Sequence, residues 1–171
     1  MIRSAAPADG FAIGRLKVRA WRAAYAGFMS RAYLDTLDAV EEAEDWAEYL
    51  ADLPGEHRLW VAEEAGVVVG FCRTGPVDEG RDADLGHAAA EILGLYIEPD
   101  RIGTGLGGRL FRHAVADLEG RGRRPLCVYA YEPNISAIAF YERAGFARDG
   151  TTRLDEEDGT AVVEARLVKR T

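Results

Sequence analysis

Residues 95–108 read LYIEPDRIGTGLGG, an apolar run followed by a proline and a turn that holds four glycines. The apolar run predicts a strand, and apolar residues spaced by four after the turn predict a helix. A turn that leads directly from a strand into a helix presents unpaired backbone N–H groups at the positive end of the helix dipole. Glycine lets such a turn approach phosphate oxygens closely and adopt positive φ. The stretch therefore predicts an anion site at the start of a helix.

Two nucleotide-binding patterns share such a turn, and both fit this sequence poorly. A dinucleotide fingerprint follows the first strand of a βαβ unit and needs an acidic residue about 20 residues further on, at the end of the second strand. Here the turn lies past the middle of the chain, and no suitable acid follows the strand predicted at 126–131. A P-loop needs Gly-Lys-Ser/Thr, where this chain has Gly107, Gly108 and Arg109. The cofactor is therefore expected to be of another kind.

The stretch resembles the acetyl-CoA-binding motif of the GNAT acetyltransferase superfamily, and a second motif agrees with it. Residues 134–146, NISAIAFYERAGF, are similar to the superfamily's later segment N-x-x-A-x-x-F-Y-E-x-x-G-F, at the same separation from the turn. The resemblance implies that acetyl-CoA is the cosubstrate and that it is held by Leu95, Tyr96, Ile97, Gly103, Thr104, Gly105, Leu106, Gly107, Gly108, Asn134 and Tyr141. The family usually has Gln or Arg at Ile102 and often a basic residue at Thr104, so we expect the turn to bind mainly through its backbone.

The rest of the chain predicts a single domain over residues 1–171, which the resemblance implies is an N-acetyltransferase domain. The predicted elements are, in chain order, a short strand at 1–4, helices at 13–25 and 38–50, a hairpin of strands at 59–63 and 67–72, a long polar loop at 75–90, a strand at 91–97, the turn with its helix to 118, a strand at 126–131, a helix at 134–144, a turn at 156–159 and a strand at 162–168. This order indicates an α/β fold, a mixed central β-sheet with helices on both faces, and the resemblance implies that the sheet is GNAT-like.

Acetyl transfer to an amine needs a base, because an alkylamine with a pKa of ~10.4 is almost wholly protonated at pH 7. Glu91 opens the strand that the resemblance places alongside the thioester, so its carboxylate is our candidate base. The alternative is a solvated carboxylate at a strand end. In other members the base stands five residues before the asparagine, where this chain has Tyr129, and a phenol is a poor base at neutral pH. Glu132 is the reserve candidate.

The resemblance also implies two groups that stabilise charge during transfer. A backbone N–H within 95–97 would stabilise negative charge on the thioester oxygen, and Tyr141 would protonate the leaving thiolate. The alternative for Tyr141 is simple packing beside Phe140. Asn134 is expected to cap the helix that it begins, and by resemblance to hydrogen-bond the pantetheine arm. Trp21 and Tyr25 either line the acceptor site or pack in the core.

Composition excludes several other classes of function. A net charge of −8 disfavours nucleic acid as a partner. No stretch approaches the ~20 apolar residues of a membrane span, and the start lacks the apolar core of a signal peptide, so we expect a cytoplasmic protein. Cys72 and Cys127 lie in apolar runs and are expected to be buried. Three scattered histidines give no metal-binding spacing, so we expect no metal.

The sequence therefore favours an acyltransferase that passes an acetyl group from acetyl-CoA to a primary amine through a ternary complex. The acceptor is expected to be a small molecule or a peptide. The alternative is a non-catalytic CoA-binding regulatory module of the same fold. The identity of the acceptor, the acyl-chain preference and the oligomeric state, a homodimer included, stay open at this point.

Overall fold

The computed structural model describes residues 1–156, 159 and 161–171. The predicted turn at 156–159 falls partly outside these residues, since 157 and 158 are not among them. The elements are β1 (Ile2–Ser4), α1 (Gly10–Tyr25), α2 (Arg31–Thr36), α3 (Ala39–Ala51), β2 (Arg58–Glu64), β3 (Val67–Pro76), β4 (Ala90–Ile97), α4 (Leu106–Gly120), β5 (Leu126–Tyr131), α5 (Ile135–Arg143), β6 (Ala147–Asp155) and β7 (Val162–Lys169).

The strands form one mixed seven-stranded sheet in the order β1-β2-β3-β4-β5-β7-β6. The pair β4–β5 at the centre is parallel, and the other neighbouring strands are antiparallel. The antiparallel strands β2 and β3 are joined by a short turn and β3 and β4 by a long loop, whereas the parallel pair β4–β5 requires a crossover, which α4 provides. The crossover helix therefore starts at the end of β4, next to the central pair of strands.

Helices cover both faces of the sheet, as the sequence predicts. Residues alternate between faces along a strand, so in β2 Leu59 and Val61 pack under α1 and α3, while Trp60 and Ala62 pack towards α4. The α1–α3 pair is unusually close: a Cβ on Gly14 would lie 2.5 Å from the backbone nitrogen of α3 that it faces. The two helices therefore form a thin, tightly packed layer over one face.

Candidate active site

The central parallel strands separate shortly after they begin. They are paired over only three positions, from Ala90 opposite Leu126 to Ile92 opposite Val128. The register of β4 against β3 leaves Leu93 without a partner at that point. Such a bulge bends its strand and increases the local twist. From Leu93 onwards, β4 therefore turns away from β5 and leaves an opening through the sheet.

A cleft of about 310 Å³ occupies this opening. Five of the predicted site residues line it, namely Glu91, Leu95, Tyr96, Asn134 and Tyr141. The glycine-rich turn at 103–108 is not in its wall. It lies against the strand that lines the cleft, because a Cβ on Gly107 would lie 3.4 Å from the Cγ1 atom of Ile97, the residue after Tyr96. The structure thus gathers part of the predicted set around one cleft and places the turn beside it.

Glu91 is buried at the cleft, with 3% of its surface exposed. Burial raises the pKa of Glu91 to about 7, while the guanidinium groups of Arg153 and Arg81, 3.6 and 4.0 Å away, oppose the rise. The alternative of a solvated carboxylate at a strand end is therefore wrong. A carboxylate with this pKa is partly ionised at neutral pH and is more basic than an ordinary one.

Tyr129, at the position where relatives of this fold were expected to carry a base, is engaged elsewhere. Its hydroxyl donates to Oδ1 of Asp82 at 2.5 Å, and Arg153 and Arg81 stack 4.0 and 5.3 Å from the centre of its ring. Burial and the hydrogen bond to Asp82 raise the pKa of Tyr129 to about 12. The reserve candidate Glu132 is outside the set of residues that line the cleft.

The long loop between β3 and β4 holds part of this arrangement in place. Asp82 of the loop is fully buried, and its Oδ1 lies 2.9 Å from Nη1 of Arg166, a β7 residue that is 2% exposed. Arg166 also pairs with Asp84 at 2.6 Å and with Asp149 at 2.7 Å. Removing one member of such a buried network leaves a charge unpaired. The loop is therefore anchored, and it carries Arg81 to the Glu91 carboxylate.

Within the described residues, β4 is not paired with β5 beyond Ile92. The N–H of Glu98 donates to the Val69 carbonyl of β3 at 2.9 Å. Backbone groups of a strand alternate between its two edges, so the N–H groups of Leu95 and Ile97 point to the opposite edge, towards β5. Since β5 has separated there, these two groups are available to a ligand.

The start of α4 presents a second set of donors. Gly103 and Gly105 both adopt φ of +84°, a conformation that favours glycine. Within the described chain no acceptor is recorded for the N–H groups of residues 105–108. The first N–H groups of a helix have no partner inside it and lie at the positive end of its dipole. The turn is therefore built to receive an anion.

Asn134 and Tyr141 lie on the α5 side of the cleft. Oδ1 of Asn134 accepts from the Ala137 N–H at 3.2 Å, so the predicted helix cap is confirmed. The Tyr141 ring packs 5.5 Å from the centre of Phe111. Burial raises the pKa of Tyr141 far above its usual value. The phenol is therefore protonated at neutral pH and able to donate a proton.

Aromatic side chains of α1 wall the opposite side. Trp21 and Tyr25 line the cleft, and both are buried. Their ring centres are 5.0 Å apart, and that of Tyr25 is 5.1 Å from Tyr131 of β5. Trp21 and Tyr25 therefore pack in a buried aromatic cluster and at the same time form a wall of the cleft.

A second cleft of about 640 Å³, which the sequence motifs did not predict, lies between α4 and α5. It begins at Gly108 of the glycine-rich turn. Its lining combines the rings of Phe111 and Phe140 with the basic side chains of Arg112 and Arg143. The turn therefore stands between two clefts, one through the sheet and one along the helices.

Two kinds of feature are absent from the described residues. No helix among them is long and apolar enough to cross a membrane. No group of three or more His, Cys, Asp or Glu side chains in the described part of the chain is placed to hold a metal ion.

Comparison with known proteins gives a family and several relatives. The profile of the Acetyltransferase (GNAT) family matches residues 19–146. The mycothiol acetyltransferase of Thermobispora bispora is 35% identical over 92 residues, which cover 53% of this chain and 30% of that protein. Serotonin N-acetyltransferase 2, chloroplastic, of Oryza sativa subsp. japonica is 34% identical over 91 residues, covering 53% of this chain and 42% of that protein. The chain thus spans less than half the length of these relatives.

A solved structure matches over the full length. PaiA N-acetyltransferase from Thermoplasma acidophilum, determined in complex with coenzyme A, has a TM-score of 0.75 and 19% sequence identity, and the match covers 100% of this chain and 98% of that chain. This likeness concerns the fold. It confirms the predicted mixed sheet with helices on both faces.

Proposed function

The chain belongs to the acetyltransferase (GNAT) family, and on that premise we propose that it transfers an acetyl group from acetyl-CoA to a primary amine in a ternary complex. The observation that carries the proposal is the opening between β4 and β5. It connects the buried Glu91 carboxylate with the free edge of β4 and with Tyr141. An amine and a thioester that enter it from opposite sides of the sheet would meet there.

The residues around the opening fit acetyl-CoA, which supplies the acetyl group as a thioester. The N–H groups of residues 105–108 suit a pyrophosphate. The edge of β4 at Leu95 and Ile97 suits the amides of a pantetheine arm, and the Asn134 side chain lies beside it. The Thr104 hydroxyl donates to the Arg101 carbonyl at 2.7 Å, and Ile102 offers no polar group. The turn is therefore expected to act through its backbone.

The nucleotide end of the coenzyme fits the second cleft. That cleft starts at Gly108, directly after the turn that would hold the pyrophosphate. An adenine ring can stack on aromatic side chains such as Phe140, and a phosphate can bind a guanidinium bidentately. No carboxylate of the described residues is paired with Arg112 or Arg143. We therefore assign these two arginines to the phosphate of the nucleotide.

Glu91 is the base in this proposal. Its carboxylate accepts the proton of the acceptor amine, directly or through a water molecule, so that the nitrogen lone pair becomes available. The pKa of about 7 places the group near the optimum for a base that works at neutral pH. Arg153 and Arg81 keep the ionised form accessible in spite of burial.

Hydrogen-bond donors on the other side of the cleft stabilise the negative charge that develops on the thioester oxygen and on the leaving sulfur. In this proposal one of the two N–H groups, at Leu95 or Ile97, donates to the thioester carbonyl oxygen and the other is left for the pantetheine arm; such preorganised donors are usually the largest catalytic contribution. Tyr141 donates a proton to the departing thiolate, and the proton that the nitrogen loses as the amide forms restores the phenol. The raised pKa of Tyr141 keeps the phenol protonated at neutral pH, so its hydroxyl can hydrogen-bond to the thiolate as it forms.

Direct transfer is favoured over a route through an acyl-enzyme. Cys72 and Cys127 are fully buried, and burial raises the pKa of Cys72 to about 12 and that of Cys127 further still. A thiol is a good nucleophile only as the thiolate. Alanine at either position should therefore leave transfer intact.

The proposal is tested by an acceptor screen that follows the release of free thiol from acetyl-CoA. The panel should hold small-molecule amines and peptides of different charge. Thermal unfolding with acetyl-CoA, ATP or NAD is measured in parallel, because a ligand that binds the native state raises Tm. We expect acetyl-CoA to raise Tm most and at least one amine class to release thiol.

Two results would count against the proposal. Equal Tm shifts with the three nucleotides would contradict the choice of coenzyme. A large shift with acetyl-CoA together with no transfer to any amine would favour the alternative, a non-catalytic CoA-binding regulatory module.

A further inference from the structure

Arg73 of β3 lines the cleft, and its guanidinium is held against two rings of α3. Cζ of Arg73 lies 5.4 Å from the centre of the Trp46 ring and 5.5 Å from that of Tyr49. The Tyr49 hydroxyl is 2.7 Å from Nδ1 of His57. Burial and the Arg73 charge lower the pKa of His57, so the imidazole is neutral at pH 7. These aromatic contacts hold the guanidinium beside the cleft.

The charge of Arg73 has no counter-ion within the described chain. The other basic side chains of the cleft are paired: Lys17 lies 2.8 Å from a glutamate of α3, and Arg153 is bonded to Glu164 and lies 3.6 Å from Glu91. No carboxylate of residues 1–156, 159 and 161–171 lies within ion-pair distance of Arg73. A fixed guanidinium that is not neutralised is well suited to bind a carboxylate through two parallel hydrogen bonds.

Arg73 and Glu91 share one face of the sheet. Glu91 lies opposite Gly75, and Gly75 is two residues from Arg73 along β3. Residues two apart on a strand, and residues directly opposite on its neighbour, project to the same face. The two positions are about 7 Å apart along the strands, at a rise of ~3.4 Å per residue. An amino group and a carboxylate of one small molecule can span groups placed in this way.

We propose that the acceptor is an amino acid, with its carboxylate bound by Arg73 and its amine facing Glu91. The apolar part of the acceptor then lies against the aromatic wall formed by Trp21 and Tyr25. This inference rests on the proposed acetyl transfer and names the class of its acceptor. It differs from a general amine site in requiring a negative group on the substrate.

The test compares each of several amino acids with the amine that lacks its carboxylate, for example phenylalanine with phenethylamine and leucine with isoamylamine. KM for each is measured by thiol release with the wild type, Arg73→Gln and Arg73→Lys. The matched control is Arg15→Gln, since Arg15 also stacks on a ring, that of Phe11 at 5.5 Å, but outside the cleft. Thermal unfolding with CoA and an N-acetyl amino acid gives a second measurement that does not depend on turnover.

The wild type should favour the amino acid by at least about 10-fold in KM. Arg73→Gln should raise KM for the amino acid by about 10- to 100-fold, the magnitude of a lost charge-assisted hydrogen bond, and change KM for the amine by less than about three-fold. Arg73→Lys should retain part of the preference for the amino acid over the amine, and Arg15→Gln should retain all of it. The Tm increase caused by the N-acetyl amino acid should disappear in Arg73→Gln.

The inference is overturned if amines without a carboxylate are acetylated as well as the amino acids, which would leave the proposed acetyl transfer standing. It is also overturned if Arg73→Gln impairs both kinds of acceptor equally. If no acceptor releases thiol, the proposed transfer fails, and the Tm comparison between the wild type and Arg73→Gln still decides whether Arg73 binds a carboxylate.

Discussion

Nη1 of Arg153 on β6 lies 3.6 Å from Oε1 of Glu91 on β4, and its positive charge lowers the pKa of that carboxyl group. Burial alone would favour the neutral form of Glu91, and the guanidinium favours the ionised form. The balance between these two effects places the pKa of Glu91 near 7. A substitution at Arg153 should therefore change the pKa of Glu91 while the Glu91 carboxylate itself stays in place.

Arg153→Gln should raise the pKa of Glu91, because the variant keeps the burial and loses the nearby positive charge. The rising limb of kcat/KM against pH should move upward by about one pH unit, so that activity lost at pH 7 returns at higher pH. The control is Arg148→Gln, since Arg148 pairs with the half-exposed Glu132 outside the cleft. A uniform loss of activity at every pH would show that Arg153 has another role.

Tyr141→Phe should lower kcat by about 10- to 1,000-fold and change KM for acetyl-CoA little, because the ring stays in place and only the proton donor is removed. Single-turnover thiol release measures this step directly. Tm should remain close to that of the wild type. If kcat is unchanged, Tyr141 only packs against its aromatic neighbours.

Gly105→Ala should weaken acetyl-CoA binding in addition to lowering the stability of the fold. Gly105 has φ of +84°, and an alanine there costs about 1–2 kcal/mol of folding free energy. Gly122→Ala is the matched control, since Gly122 has φ of +74° in open space at the far end of α4. Both variants should unfold more readily, but only Gly105→Ala should raise Kd for acetyl-CoA. Equal affinities in the two variants would contradict the assignment of the turn.

Arg143→Gln should weaken the binding of acetyl-CoA more than the binding of an acetyl-CoA analogue that lacks the 3′-phosphate. The variant removes one of the two guanidinium groups assigned to that phosphate, and the analogue has nothing for it to bind. Isothermal titration with both ligands should show a loss of about 10-fold for acetyl-CoA and little change for the analogue. The same loss for both ligands would place the nucleotide elsewhere.

The regular elements of the fold were predictable because their residues repeat with a clear period. The hairpin at 58–76, the strand 90–97 and the helix 106–120 all match the sequence prediction closely. Two elements, α2 and β6, were not predicted from the sequence. α2 has only six residues, too few for a helical period, and β6 is a mostly exposed edge strand, ARDGTTRLD, that lacks the apolar alternation of a half-buried strand.

The site itself was predictable in part. Glu91 was suggested by its position at the start of a strand and Tyr141 by motif resemblance, and the structure brings both to one cleft. The groups around Glu91 could not be inferred, because Arg153 comes from the strand that the sequence did not reveal. Likewise, Asp82 and Arg166 are 84 residues apart in the chain, and only the folded sheet joins them. Local pattern carries no information on such contacts.

The central claim is that Glu91 accepts the proton of the amine, and the pH dependence of kcat/KM in the wild type and in Glu91→Gln tests it most directly. The glutamine keeps the shape of the side chain and cannot act as a base. Glu132→Gln is the control, since Glu132 does not line the cleft. We predict that kcat/KM rises with pH near pH 7 in the wild type and in the control. In Glu91→Gln, kcat/KM should fall by about 100-fold or more, and the rise near pH 7 should disappear. A Glu91→Gln enzyme with wild-type activity and the same rise near pH 7 would contradict the account.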